Sequence, residues 1–194
     1  MRILISLMGL VFSTSAFAHA GAGDVSGFAH GFMHPVGGLD HVLAMVAVGL
    51  LAFVLGGKAR FALPLSFMTA TLAGGALGMS AFELPMVETG IGASIIVIAG
   101  LAAFGASLPV WPTVLLVAFF GLFHGFAHGV EMPVDASGLA YAAGFFAATG
   151  LLHLTGFAAG FGASSLFGKN GRLAARIGSG AMALAGVAVL GGVV

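Results

Sequence analysis

Six apolar stretches of roughly 20 residues, separated by short breaks of charge, proline or glycine, set the pattern of the chain. An α-helix rises 1.5 Å per residue, so about 20 apolar residues match the roughly 30 Å hydrocarbon core of a bilayer. The pattern predicts an all-α polytopic membrane helix bundle with six transmembrane helices. The spans are expected near residues 35–55, 61–82, 89–108, 113–130, 138–163 and 173–194. Pro35 suits a first helical turn and places the start of the first span beside it. Small residues recur every fourth position in several spans, as Gly74 and Gly78, as Gly121, Gly125 and Gly129, and as Ala140, Gly144 and Ala148. Such stripes let helix backbones approach closely in lipid.

Ahead of the spans, Met1-Arg2 gives a positive start, Ile3 to Phe12 an apolar core, and Ala16-Phe17-Ala18 a small-x-small cleavage pattern. Residues 1–18 are expected to be a signal peptide cut after Ala18, leaving His19 with an amine and an imidazole that can chelate a metal together. Residues 19–33 are polar, glycine-rich and without apolar periodicity. They are expected to form an extracytoplasmic arm carrying Asp24, His30 and Met33, followed by a transmembrane domain over residues 34–194.

Composition narrows the possibilities. Only 6% of the 194 residues are charged and 60% are hydrophobic, whereas a soluble domain carries roughly 25% charge. The formal net charge is +0, so no nucleic-acid footprint is present. Absence of cysteine excludes disulfides, thiolate metal sites and cysteine nucleophiles together. The few charges also orient the spans: Lys58, Arg60, Lys169, Arg172 and Arg176 follow spans one and five, while Glu83, Glu88, Glu131 and Asp135 follow spans two and four. By the positive-inside rule the basic loops are cytoplasmic and the mature N-terminus is extracytoplasmic, in accord with the signal peptide.

The candidate chemistry sits on the outer side of that topology. In Phe123-His124-Gly125-Phe126-Ala127-His128-Gly129-Val130-Glu131, the residues His124, His128 and Glu131 fall within an arc of about 60°. Two imidazoles and a carboxylate at the end of an apolar helix are costly without a partner, and a divalent cation satisfies all three. Hydrogen-bond glue between helices is the alternative. A second group opens the first span: His34, His41 and Met45 share an arc of about 40° if one helix contains them all and the Gly37-Gly38 pair does not break it. Asp40 is either a ligand beside them or the cap of a helix starting at His41. Glu88, at the head of the third span, is placed to join the two groups in one nitrogen and oxygen site, suited to Ni, Co, Zn, Cu or Fe. His153, mid-span and deeper, reads equally as a second station on a path and as a histidine bonded to a neighbouring helix.

The runs His34-Pro35…Gly38-Leu39-Asp40-His41 and His124-Gly125-Phe126-Ala127-His128-Gly129-Val130-Glu131 resemble the two signature motifs of the HupE/UreJ family, bacterial membrane proteins associated with nickel and cobalt supply to hydrogenase and urease. The resemblance extends over the whole chain. It implies a permease or facilitator of the bacterial inner membrane rather than an enzyme, without a prosthetic group, carrying Ni²⁺ or, in some members, Co²⁺. It implies metal contacts at His34, Asp40, His41, His124, His128 and Glu131, with Glu88 supported by position alone, and maturation factors of hydrogenase or urease as partners. Two competing readings are an intramembrane zinc-dependent hydrolase, against which the HExxH pattern is absent, and an accessory subunit that binds metal without transporting it.

Overall fold

The computed structural model describes residues 23–105, 108–132 and 137–192. Among the described residues the elements are helical: α1 (Gly23–Gly37), α2 (Leu39–Leu55), α3 (Ala59–Gly78), α4 (Val87–Phe104), α5 (Val110–Val130), α6 (Gly138–Phe167) and α7 (Gly171–Leu190), with one turn of 3₁₀ helix at Gly168–Asn170. The expected signal peptide and its cleavage point, His19 and Asp135 lie outside the described residues.

Four helical stretches are long and apolar enough to cross a membrane, namely α3, α4, α5 and the stretch Gly138–Leu190, and α1 with α2 makes a fifth if the bent pair is one span. The last stretch, 53 residues long, far exceeds one crossing, and the 3₁₀ turn divides it into α6 and α7. Helix α7 packs back on α6 and α4. The molecule is thus the all-α membrane bundle its hydropathy predicts, with α2 to α7 occupying the six apolar stretches.

The N-terminal segment departs from expectation. Residues 23–37 form a helix rather than an irregular arm, and Pro35 lies near the end of α1 instead of in the first turn of the following span. The cause is packing. A Cβ at Gly31 would collide with the carbonyl oxygen of Tyr141, and one at Gly144 with that of Phe28. The glycines that resemble loop punctuation are the surface that seats α1 on α6. Gly38, with φ −96° and ψ 120°, then breaks the helix, and α2 leaves at 82° to α1.

Helix α2 is the centre of the bundle and packs on α1, α3, α4, α6 and α7. Its Met45, Val48 and Leu51 meet Leu63 and Phe67 of α3, Ile98 of α4, Val117 of α5 and Phe145 of α6 in one buried core. Beside it α3 and α5 run parallel in backbone contact, since a Cβ at Gly125 would strike the Thr71 carbonyl and one at Gly74 that of Leu122. Both predicted glycine stripes therefore face each other.

Helices α2 and α6 are also parallel, with Gly49 against the backbone of His153 and Gly160 against the Phe53 ring. Their ends consequently bring Lys58 and Arg60 to the same side as Lys169 and Arg172, opposite the end where α2 begins and α5 finishes. Arg176 closes the basic end: its Nε donates to the Ala103 carbonyl at 2.7 Å and its Nη2 to that of Phe104 at 2.6 Å, satisfying the last carbonyls of α4.

Candidate metal site

At the other end, the break at Gly38 decides the geometry. By swinging α1 across the bundle it places His34 over the end of α5, a position that one continuous helix through His34 and His41 would not reach. His34 Nε2 lies 2.8 Å from Glu131 Oε2, the residue capping α5. One ligand atom from each of His34, His128 and Glu131 falls within 4.8 Å of the others. Around a single ion with bonds of about 2.1 Å such atoms stand about 3.0–3.4 Å apart, so small side-chain rotations close the set.

One level deeper, the His41 ring lies 4.6 Å from that of His128 and 5.0 Å from that of His124, while His34 and His128 are 4.7 Å apart. The three residues of the α5 arc therefore serve two levels: Glu131 and His128 face the mouth, and His124 faces inward. A cavity of about 610 Å³ opens onto the outer level, walled by His30, Met33, His34, Asp40, His41, Glu131 and Tyr141. Glu88 stands apart from this arrangement, exposed in the first turn of α4 and away from the cavity wall.

Hydrogen bonding fixes which nitrogens are free. Asp40 Oδ1 accepts from the backbone N–H of His41 and from its Nδ1, both at 2.8 Å, which leaves His41 Nε2 bare. Asp40 is thus not the cap of α2, whose N-cap is Gly38, yet it both satisfies an orphan N–H of the first turn and orients the imidazole. Carboxylates orient metal-binding histidines in this way. Ser94 does the equivalent for His124. Its hydroxyl donates to the Ile91 carbonyl at 2.6 Å, so its oxygen accepts from His124 Nε2–H at 2.9 Å. Among the described residues the His124 Nδ1 is then unpartnered, as are both nitrogens of His128. Buried polar atoms are normally satisfied, and three neighbouring imidazoles, each able to turn one bare nitrogen to a ligand, are donors suited to a cation of borderline softness.

A family model described as HupE / UreJ protein matches residues 6–189. The chain belongs to the HupE/UreJ family. Among HupE/UreJ proteins it is 42% identical over 191 residues to Protein HupE of Rhizobium leguminosarum bv. viciae, a match covering 98% of each chain. No solved structure matches it.

In this HupE/UreJ chain Ser94, Tyr141 and Phe145 join the histidines and acids expected from the sequence. Tyr141 walls the cavity with its hydroxyl unpartnered, and the Phe145 ring sits 4.2 Å from that of His128. Their four-residue spacing on α6 was the available signal. Ser94 carries no such signal, because a lone serine in an apolar span usually bonds its own helix. Ser94→Ala is expected to release the His124 tautomer, seen as a mixed population by ¹⁵N NMR of the ring, and to weaken Ni²⁺ binding about tenfold in calorimetry. Unchanged affinity would show that His124 needs no such support.

Proposed function

We propose that the chain is a permease or facilitator for divalent transition-metal ions, Ni²⁺ before Co²⁺, in the bacterial inner membrane, with its mature N-terminus periplasmic. The observation that carries this reading is the set of buried, unpartnered imidazole nitrogens on His41, His124 and His128 beneath a polar cavity. That cavity lies at the end opposite the basic loops, which the positive-inside rule assigns to the cytoplasm. An ion is captured between His34, His128 and Glu131, loses part of its hydration there, and passes to His41 and His124. The ion is substrate rather than resident cofactor. Its cytoplasmic recipients are the maturation factors of hydrogenase or urease, in keeping with the association of the HupE/UreJ family with nickel and cobalt uptake for those enzymes.

The zinc-hydrolase reading has less support. A hydrolase needs a carboxylate free to act as base beside the metal, whereas Asp40 and Glu131 are each engaged by a histidine.

Proteoliposomes enclosing a metal-sensitive dye test the proposal with Ni²⁺, Co²⁺ and Zn²⁺ in parallel. Wild type is expected to admit Ni²⁺ or Co²⁺, and Asp40→Ala, with the His41 ring left unoriented, to slow uptake at least tenfold while remaining folded. Binding without uptake by wild type would instead leave an accessory subunit.

A further inference from the structure

Below the outer cluster, helix α6 carries Tyr141, Phe145, Thr149 and His153 at four-residue intervals, all buried. Each interval advances about 6 Å, so His153 lies about 18 Å along the helix from the cavity wall, more than halfway through a core of about 30 Å. His153 is 3% exposed, and both of its ring nitrogens are unpartnered among the described residues. Nothing bonds it to a neighbouring helix, which removes the structural half of its sequence reading. Thr149, one turn nearer the cavity and on the same face, is fully buried, and its Oγ1 is also unpartnered.

That threonine is unlike others in the bundle. Thr71 and Thr155 each donate to the carbonyl four residues back, at 2.8 and 2.9 Å. Thr149 does not. Phe67 of α3 touches both this pair and the outer cluster: its ring is centred 5.2 Å from the His124 ring and 5.3 Å from that of His153. The Gly49 and Gly156 contacts hold α2 and α6 backbone to backbone at this depth, so the polar pair cannot be drawn apart to open space.

We propose that His153 and Thr149 form an inner transit station for the transported ion, divided from the outer cluster by the Phe67 ring. The proposal rests on the permease reading above. A site made of one imidazole and one hydroxyl contains no full charge. It binds a divalent ion weakly, as a transit point must if the ion is to leave. Phe67 makes passage stepwise, because the ring must rotate before an ion at His124 reaches His153, and a fully wetted path is never open.

The test is His153→Leu in proteoliposomes with the same pH on both sides. Removing an unpartnered polar group for an apolar one of similar size leaves stability unchanged or higher. Ni²⁺ uptake is expected to fall at least tenfold, with Ni²⁺ affinity of the purified protein within twofold of wild type because the outer cluster is intact. His153→Gln, which keeps size and polarity but lacks a ring nitrogen, is expected to do the same and serves should the leucine variant not fold. Uptake within twofold of wild type in either folded variant overturns the station. A joint loss of thermal stability and outer-site affinity overturns it in favour of a structural role, and a loss of uptake seen only under an imposed pH gradient overturns it in favour of a proton path. If wild type itself binds Ni²⁺ without uptake, the permease reading fails instead.

Discussion

His128→Ala is expected to weaken Ni²⁺ binding by at least a hundredfold. The side chain belongs to both levels of the cluster, within 4.7 Å of the His34 ring and 4.6 Å of the His41 ring. Losing a group that merely orients a metal ligand costs about 10- to 100-fold in affinity, and losing the ligand itself costs no less. A hundredfold corresponds to about 2.8 kcal/mol. Stability should move much less. Alanine leaves a void against Phe145, but it also removes two buried nitrogens without partners, each of which costs about 1–3 kcal/mol while unsatisfied. Calorimetric titration with Ni²⁺ beside a thermal melt in detergent separates the two effects. A variant that binds like wild type would remove the outer cluster from the metal path.

Gly125→Ala carries the largest expected loss of stability. The new Cβ would meet the carbonyl oxygen, carbonyl carbon and Cα of Thr71, and no rotamer change relieves a collision with backbone. Gly129 meets the Gly75 carbonyl about as closely and Gly121 meets that of Phe67 less tightly, so α3 and α5 must separate along the seam. Overpacking costs about 1–3 kcal/mol where side chains can adjust, and about 3 kcal/mol or more is expected where they cannot. Gly162→Ala supplies the control, since a Cβ there meets nothing within 4 Å. Size-exclusion recovery after stepped heating should show the Gly125 variant lost at markedly lower temperature and the Gly162 variant close to wild type. Equal melting would mean that the seam does not hold the bundle.

Residue 125 also shows why much of this molecule is legible in its sequence. Apolar length and fourfold glycine spacing depend only on local periodicity and bilayer thickness, so spans and seams follow from the sequence. The gathering of His34, Asp40, His41, His124, His128 and Glu131 at one end was legible for the same reason, through span direction and charge. What escaped depends on three-dimensional placement. Gly27 and Gly31 signal a loop and a packing surface equally well, and only the presence of Tyr141 and Gly144 opposite decides. Glu88 is exposed in the first turn of α4 and outside the cavity wall, and its position in the chain conveyed only that it heads a span at the same end. Ser94 matters through which proton it donates and where, a fact that exists only once Ile91 and His124 flank it.

Helix α6 has 30 residues, about 45 Å of helix against a hydrocarbon core of about 30 Å. A rod of that length lies aslant or carries its final turns among the headgroups, beside the basic Lys169 and Arg172. The slant sets how far below the surface His153 sits, because His153 rides on the same rigid rod. Lipid chain length is therefore expected to set the depth of His153, with vesicles of thin and thick lipid holding the same protein at different inclinations.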